Sequence, residues 1–382
     1  MPTFKSYPDF FAQTDPHILQ DIKTVTDHLK ENYNAKCYIV GGAVRDNLMG
    51  YRSKDYDIEC FGIGVEDFER AMEHLGAQGV GKSFFVYKYH DLDISLPRTE
   101  QKVSSGHRGF KVSLATNEKE ASRRRDFTIN ALMYDIQNEQ IIDFWHGLDD
   151  LEAKIIRIVD ERSFVEDSLR VLRAMQFAAR FGFKVEEQTC RICQSIALDD
   201  LPKERIFIEF QKMFMGRYLH YGLYYLYSLG IAQQLFNTRL ERQTFMKLSR
   251  VLQQSQKNFL EKLRPYYFLF ICKEYFSSDI EKVLDRLAAP GSYYKKLTAA
   301  SVPENVTMDF IANLSLKEGI IEYVGNYQKD VIALAKKLDV WDKPFDRGVT
   351  PIELMNEGFS GKALGDELDR RTKEKIKSLS EK

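Results

Sequence analysis

The sequence predicts an α+β chain in which a mixed-sheet head is followed by an all-α remainder. Three observations carry that reading. Residues 36–160 hold short apolar runs, rich in β-branched residues and punctuated by glycine, that read as strands between short helices. From Ser163 the apolar period turns helical, opening with SFVEDSLRVLRAMQFAARFGF, and helical patterns with few turn signals run to the end. No internal repeat, low-complexity tract or Ser/Gly-rich linker interrupts either half, and 382 residues suffice for two or three domains with cores of their own.

The strand candidates are KCYIVGG from Lys36, YDIECFGI from Tyr56, FFVYKYHDLDISL from Phe84, ALMYDI from Ala131, QIIDFW from Gln140 and KIIRIV from Lys154. A helix over Val65–Leu75 lies among them. With 55 Lys and Arg against 56 Asp and Glu the net charge is −1, so a nucleic-acid partner would need a local basic face. Five scattered cysteines read as reduced thiols of a cytoplasmic protein. Cys190 and Cys193 form a lone C-x-x-C within a helical segment, Val185 to Ile196, and read as two small apolar side chains on one face. The first residues, MPTFKSYPDF, lack the pattern of a signal peptide, and no apolar run approaches the roughly 18 residues a membrane span needs. The expectation is a soluble, cytoplasmic protein with no membrane partner.

The richest stretch is YIVGGAVRDNLMGYRSKDYDIEC, residues 38–60. A strand ends in Gly41-Gly42 and a helix begins at once. Glycines there let a ligand approach the backbone closely, and the free N–H groups of a helix start suit phosphate. Arg45, one turn in, would add a charge-assisted bond. The plainer alternative is a tight turn with a surface arginine. Asp55 and Asp57 lie two apart on the next predicted strand, so both carboxylates share a face while Tyr56 and Ile58 point into the domain. Adjacent carboxylates repel unless a cation sits between them, and hard oxygen ligands are what Mg²⁺ takes. Two such ions about 4 Å apart clamp an attacking hydroxyl and a leaving pyrophosphate oxygen. Asp93, in LDISLPR, is the candidate third carboxylate, and Asp91 shares its predicted face. Glu59 shares the face of Asp55 and Asp57 and is read as a surface residue.

Next comes SRRRDFTINALMYD, residues 122–135. Arg125 suits a triphosphate or a nucleobase, and Asp126 is read as accepting from ribose hydroxyls, a means of preferring ribonucleotides. Arg123 and Arg124 read as a solvated basic edge. In the helix that opens near Ser163, Val165, Leu169, Leu172 and Ala179 form an apolar stripe. Glu166, Asp167, Arg170 and Arg173 fall on a separate polar face, where simple salt bridges are the plain account. Asp and Arg are also the pair that reads base edges.

Taken in order, GGAVRD from Gly41, Asp55-x-Asp57, RRDFTINAL from Arg124 and Glu166-Asp167-x-x-Arg170 resemble the motifs of bacterial-type (class II) tRNA nucleotidyltransferases. These CCA-adding enzymes share their N-terminal half with bacterial poly(A) polymerases. Asp143-x-x-x-Gly147-x-x-Asp150-Leu151 resembles the family's hinge segment, and Leu201-Pro-x-Glu204-Arg205-x-x-x-Glu209 a motif supporting the base-reading helix. The resemblance is dense over residues 36–215 and thin beyond. It implies a nucleotidyltransferase (polymerase-beta-like) head over 1–145, a neck with the nucleotide-selecting helix over 146–215, a body over 216–330 and a tRNA-binding tail over 331–382. It also implies Asp55 and Asp57 as magnesium ligands, with Asp93 as third catalytic carboxylate. Gly41, Gly42, Arg45, Arg125, Asp126, Asp167, Arg170 and Arg173 become nucleotide-binding residues, with Asp167 and Arg170 the protein template for C and A. The implied reaction adds C, C and A to the 3′ end of tRNA from CTP and ATP, releasing pyrophosphate.

Three features sort the relatives. LPRTEQKVSSGHRGF, residues 96–110, resembles the flexible loop of full CCA enzymes, with a surface loop the alternative. PIELMNEGFSGKALGD, residues 351–366, resembles the tail of tRNA nucleotidyltransferases, not of poly(A) polymerases. No H…HD…D metal pattern of an appended phosphohydrolase is seen, and His90-Asp91 is read as part of a strand. One departure is Gln176, where the family usually has arginine. The rival readings are an A-adding or CC-adding specialist, a poly(A) polymerase and, from another class, an inactive RNA-binding scaffold. In the helical half, Lys336-Lys337, Arg370-Arg371, Lys373 and Lys375 suit an RNA backbone or a solvated face equally. Tyr218, Tyr221, Tyr224 and Tyr225 have a spacing that suits packing.

Overall fold

Alternation in Tyr56-Asp57-Ile58-Glu59-Cys60 decides how the central strand faces. Tyr56, Ile58 and Cys60 are buried in the main head core, while Asp57 and Glu59 take the opposite face. The computed structural model describes residues 2–81, 85–102, 110–276 and 279–380. They form two compact units, residues 1–202 with 225–235 and residues 203–224 with 236–382.

The first unit contains an eight-stranded mixed sheet. Its strands in chain order are β1 (Thr3–Ser6), β2 (Lys36–Val40), β3 (Tyr56–Phe61), β4 (Gln78–Gly81), β5 (Val86–Tyr89) and β6 (Leu92–Ser95), then β9 (Met133–Asp135) and β10 (Gln140–Asp143). Between these two groups, β7 (Arg98–Lys102) and β8 (Phe110–Leu114) pair separately as an antiparallel hairpin. The order across the large sheet is β1-β10-β9-β2-β3-β6-β5-β4. β3 and β6 run parallel, and the other named neighbours antiparallel. The parallel pair is possible because helix α3 (Val65–His74) and the β4–β5 pair intervene, giving the chain length to cross over.

Helix α1 (Pro16–Tyr33) covers the sheet through Ile22, Val25 and Leu29. Its start is fixed by Pro16 at the first helical position and by Asp15, whose side chain accepts from the His17 N–H. Asn34 ends it in the left-handed conformation. On the opposite sheet face a smaller cluster of Tyr38, Val40, Phe61, Ala115, Ala121, Met133 and Ile142 underlies Asp57 and Glu59.

Several strand expectations hold to within a residue or two; three need correction. His90 and Asp91 are not within a strand: they form the β5–β6 turn, with His90 at φ 50°, so Asp91 shares no strand face with Asp93. The stretch 96–110, expected as a loop, pairs in part as β7 and β8, and residues 103–109 lie outside the described residues. The helix expected from Ser163 is two helices, α6 (Glu161–Phe164) and α7 (Leu169–Phe181), where α4 is Glu118–Arg123 and α5 Gly147–Ala153. Val165, placed on an apolar stripe, is exposed in the connection.

The second unit is helical, with long helices at Lys203–Phe214, Arg242–Ser255, Arg264–Phe276 and Gly361–Ser380. One core cluster gathers Ile311, Ile320, Val331, Ala335, Val340, Phe345 and Ile376. Three basic residues of the last helix are engaged with acids. Arg370 pairs with Glu367 and Glu374, Arg371 with Glu357 and Glu367, and Lys375 with Asp346. Among the described residues no helix is long and apolar enough to cross a membrane.

Candidate active site

Helix α2 (Gly42–Leu48) starts directly from β2, because Gly41 turns the chain at φ 73° and ψ −133°, a region closed to residues with a Cβ. A Cβ at Gly41 would stand 3.4 Å from Asp57 Oδ2 and 3.5 Å from Arg125 Nη1. The glycine turn, the acidic strand and the arginine cluster therefore meet at one point.

The parallel register sets Asp57 opposite Asp93, so two carboxylates project from adjacent strands on one face. Asp57 is open to solvent on one side. Protein packed on the other strips part of its hydration, and this, with the charges of Asp93 and Glu59, pushes its carboxyl above the usual range against the pull of Arg125. Lys88 Nζ lies 4.0 Å from Asp93 Oδ1. Asp55 is exposed one residue before β3. Among the described residues no three His, Cys, Asp or Glu side chains converge as a complete metal cage. A hard divalent cation that keeps its waters and takes phosphate oxygens needs only one or two protein carboxylates, and the Asp57–Asp93 pair fits that demand.

Glu59, read from the sequence as a surface residue, is 2% exposed. Its Oε1 accepts from Arg124 Nη2 at 2.9 Å and Arg125 Nη2 at 2.7 Å. Burial opposes its ionisation, but the two guanidinium groups hold its carboxyl below the ordinary value. Arg124 thus belongs to a buried clamp and not to a solvated edge, and the clamp aims Arg125 at Asp57. Arg123 pairs with Asp160 on the surface.

Arg45 departs from the reading of an outward-reaching side chain: it is 3% exposed. Its Nε and Nη2 donate to Asp46 Oδ1 at 2.9 and 2.7 Å, and Nη1 donates to Asn130 Oδ1. The Phe177 and Phe181 rings lie 5.1 and 4.7 Å from its guanidinium carbon. Asp126 is buried too, and protein donors occupy it where ribose hydroxyls were expected. Phe127 N–H and Asn130 Nδ2 donate to Oδ1 at 2.8 and 2.9 Å, and Arg173 Nε to Oδ2 at 2.6 Å. Burial would raise its carboxyl, yet Arg173, Asn130 and Arg170 hold it at about 2.

Helix α7 opens at Leu169, with Ser168 as N-cap, and Asp167 Oδ1 accepts from the Leu169 N–H at 3.2 Å, so Asp167 stands at the helix mouth and not within it. Arg170 ties the break before α7 down, donating to the Ser163 carbonyl at 2.7 Å and the Arg124 carbonyl at 2.7 Å. Gln176 is buried in α7. The motif likened to a hinge has a physical basis as well. Asp143 accepts from the Trp145, Gly147 and Leu148 N–H groups, and Asp150 from Thr128 Oγ1. A Cβ on Gly147 would fall 2.3 Å from the Thr128 carbonyl oxygen. In the second unit, buried Glu209 accepts from Lys212. Burial pushes the Cys190 and Cys193 thiols up to about 11 and about 12, which suits inert packing.

Sequence reasoning missed Glu59, Asn130, Asp46 and Arg180, the last donating to Asp46 Oδ2 at 3.0 Å. The available signals were the motif positions of Asp46, within GGAVRD, and of Asn130, within RRDFTINAL.

Sheet order, acidic pair and glycine turn thus come together in one head domain. Residues 37–157 match the family described as the poly A polymerase head domain. Residues 182–239 match the family described as the probable RNA and SrmB-binding site of polymerase A. The Multifunctional CCA protein of Nitrosospira multiformis is 38% identical over 203 residues, 51% of this chain and 48% of that protein. That of Laribacter hongkongensis is 40% identical over 189 residues, 47% of this chain and 45% of its own. The chain thus spans about half the length of the curated relatives it matches. The resemblance to bacterial-type tRNA nucleotidyltransferases and poly(A) polymerases holds over this N-terminal half.

Fold similarity extends further. The Thermotoga maritima CCA-adding enzyme complexed with tRNA superposes with a TM-score of 0.70 at 23% identity, covering 100% of this chain and 96% of that one. The Bacillus stearothermophilus CCA-adding enzyme in complex with CTP gives 0.65 at 21%, covering 95% and 94%. The α+β architecture with a helical remainder is therefore that of CCA-adding enzymes.

Proposed function

We propose that the protein adds C, C and A to the 3′ end of tRNA, without a nucleic-acid template, from CTP and ATP and with release of pyrophosphate. The observation that carries this reading is the register pairing of Asp57 with Asp93 beside Gly41 and Arg125. The names of the similar proteins support it. On this reading the chain divides into head (1–145), neck (146–215), body (216–330) and tail (331–382), works in the cytoplasm and needs no protein partner.

Each residue has a task. Asp57 and Asp93 would hold Mg²⁺, with Asp55 meeting one of the waters the ion keeps, and the ion would lower the pKa of the tRNA 3′ hydroxyl and neutralise charge at the α-phosphate. The backbone of Gly41 and Gly42 lies against the triphosphate, where a side chain would bar it. Arg125, aimed by Glu59, neutralises charge on the same phosphates as pyrophosphate departs. Arg45 supports the Gly42 turn from beneath. Asp126 fixes Arg173, which reaches toward the phosphates, and Asp167 and Arg170 present acceptors and donors to the base edge. Most of the rate comes from alignment and charge neutralisation.

The test is a tRNA transcript ending at the discriminator base, given single and mixed nucleotides with purified protein. Growth by C, C and A supports the reading. Growth from a CC end only makes the protein an A-adding enzyme, and a long ladder with ATP a poly(A) polymerase. No extension of any RNA refutes the proposal in favour of a binding scaffold.

A further inference from the structure

The glycine turn and helix α7 are linked by a chain of polar groups, buried at Arg45, Asn130 and Asp126, in which Asn130 has so far been given no task. Arg180 donates to Asp46, and Asp46 accepts from Arg45. Arg45 donates to Asn130 Oδ1, Asn130 Nδ2 donates to Asp126 Oδ1 at 2.9 Å, and Asp126 Oδ2 accepts from Arg173 at 2.6 Å. Both ends of the chain sit on α7, and its middle reaches α2 at the Gly42 turn, where a Cβ on Gly42 would lie 3.5 Å from Arg45 Nη2.

We infer that Asn130 is a positioning residue that couples the triphosphate turn at Gly41–Gly42 to the nucleotide-selecting face of α7. The inference rests on the nucleotidyltransferase reading and deepens it. Arg45 offers only donors, and Asp126, held ionised, only accepts. A group between them must accept on one side and donate on the other. A side-chain amide does both, whereas a carboxylate would set two anions together and an aliphatic side chain would leave two buried charges short of a bond. Asn130 is 5% exposed, so water does not substitute for it. The consequence falls on Arg173, whose guanidinium is oriented by Asp126. Arg170 lies one turn from Arg173 on the same helix, and a base-reading group must be held to a fraction of an ångström to tell one base edge from another.

The experiment uses the full chain with Asn130→Ala, Asn130→Asp, and the exchange Asp126→Asn with Asn130→Asp, which restores one amide and one carboxylate in reversed order. The readout is the ratio of kcat/KM for CTP over UTP at the first position of a tRNA transcript ending at the discriminator. That ratio does not depend on how much of a preparation is folded, so a merely structural role leaves it unchanged. Asn130→Ala is expected to lower it about tenfold, Asn130→Asp at least as far, and the exchanged pair to recover part of the loss. A wild-type ratio in both single variants overturns the inference. Should the wild-type protein extend no RNA, the functional reading fails separately, and amide hydrogen exchange over residues 169–176 decides the coupling. Faster exchange in Asn130→Ala that the exchanged pair reverses supports it, and exchange like wild type overturns it.

Discussion

Asp57 stands opposite Asp93 across the parallel β3–β6 register, and the carboxyl of Asp57 is pushed upward in the absence of a cation. A carboxyl whose folded pKa exceeds its unfolded value binds protons more readily when folded, so its ionisation lowers stability as pH rises through that interval. Asp57→Asn is therefore expected to raise the melting temperature of the metal-free protein at pH 7. The same change should lower nucleotide incorporation by about a hundredfold or more. Calorimetry with EDTA and an incorporation assay check the two halves, and a variant both less stable and fully active would contradict this account of the pair.

Gly41 takes a backbone conformation that resists a Cβ, and an added methyl would stand in contact with Asp57 and Arg125, where the triphosphate is proposed to lie. Gly41→Ala is expected to cost about 1–3 kcal/mol. Binding of CTP, measured by titration calorimetry, should weaken by about tenfold or more even at temperatures where the variant is folded.

Asp126 links acid stability to the helix break. Its carboxyl is held at about 2, so it contributes stability above the unfolded value near 4 and loses it as pH falls from about 4 to about 2. Asp126→Asn should cost about 2 kcal/mol at pH 7 and almost nothing at pH 2. Denaturant midpoints measured across that range test the prediction, and a pH-independent difference would assign the loss to packing.

Lys273 makes a separate prediction in the helical unit. Its ammonium donates to the carbonyls of Leu297, Thr298 and Ala300 at 2.8, 2.9 and 2.6 Å, closing the end of the helix Gly291–Leu297. Lys273→Met removes these charge-assisted bonds and should destabilise that unit by about 2 kcal/mol. Hydrogen exchange over 291–300 should accelerate while CTP affinity stays at the wild-type value.

The acidic strand was legible because its information is local: a period of two fixes the facing of Asp57, Tyr56 and Ile58 without reference to the rest of the chain. Glu59 obeys the same period and was misread, since what covers it is a pair of arginines 65 and 66 residues away. Arg45 was placed outward for a similar reason, its partner Asn130 lying 85 residues on. Helical spacing in α7 was plain, but Val165 fits the period as well as Leu169 and Leu172 do. The backbone leaves the helix after Phe164 and re-enters it only at Leu169, a break the period does not betray. Charge pairs remote in sequence, and caps placed inside an apparently continuous pattern, are what one sequence conceals.

The most direct test is titration calorimetry of CTP with Mg²⁺ and with EDTA, on the wild-type chain and on Asp57→Asn with Asp93→Asn. Wild-type protein should bind CTP more tightly with the cation than without it, and the double variant should lose that difference. Equal dependence on Mg²⁺ in both proteins would contradict the placement of the cation and triphosphate at these two strands.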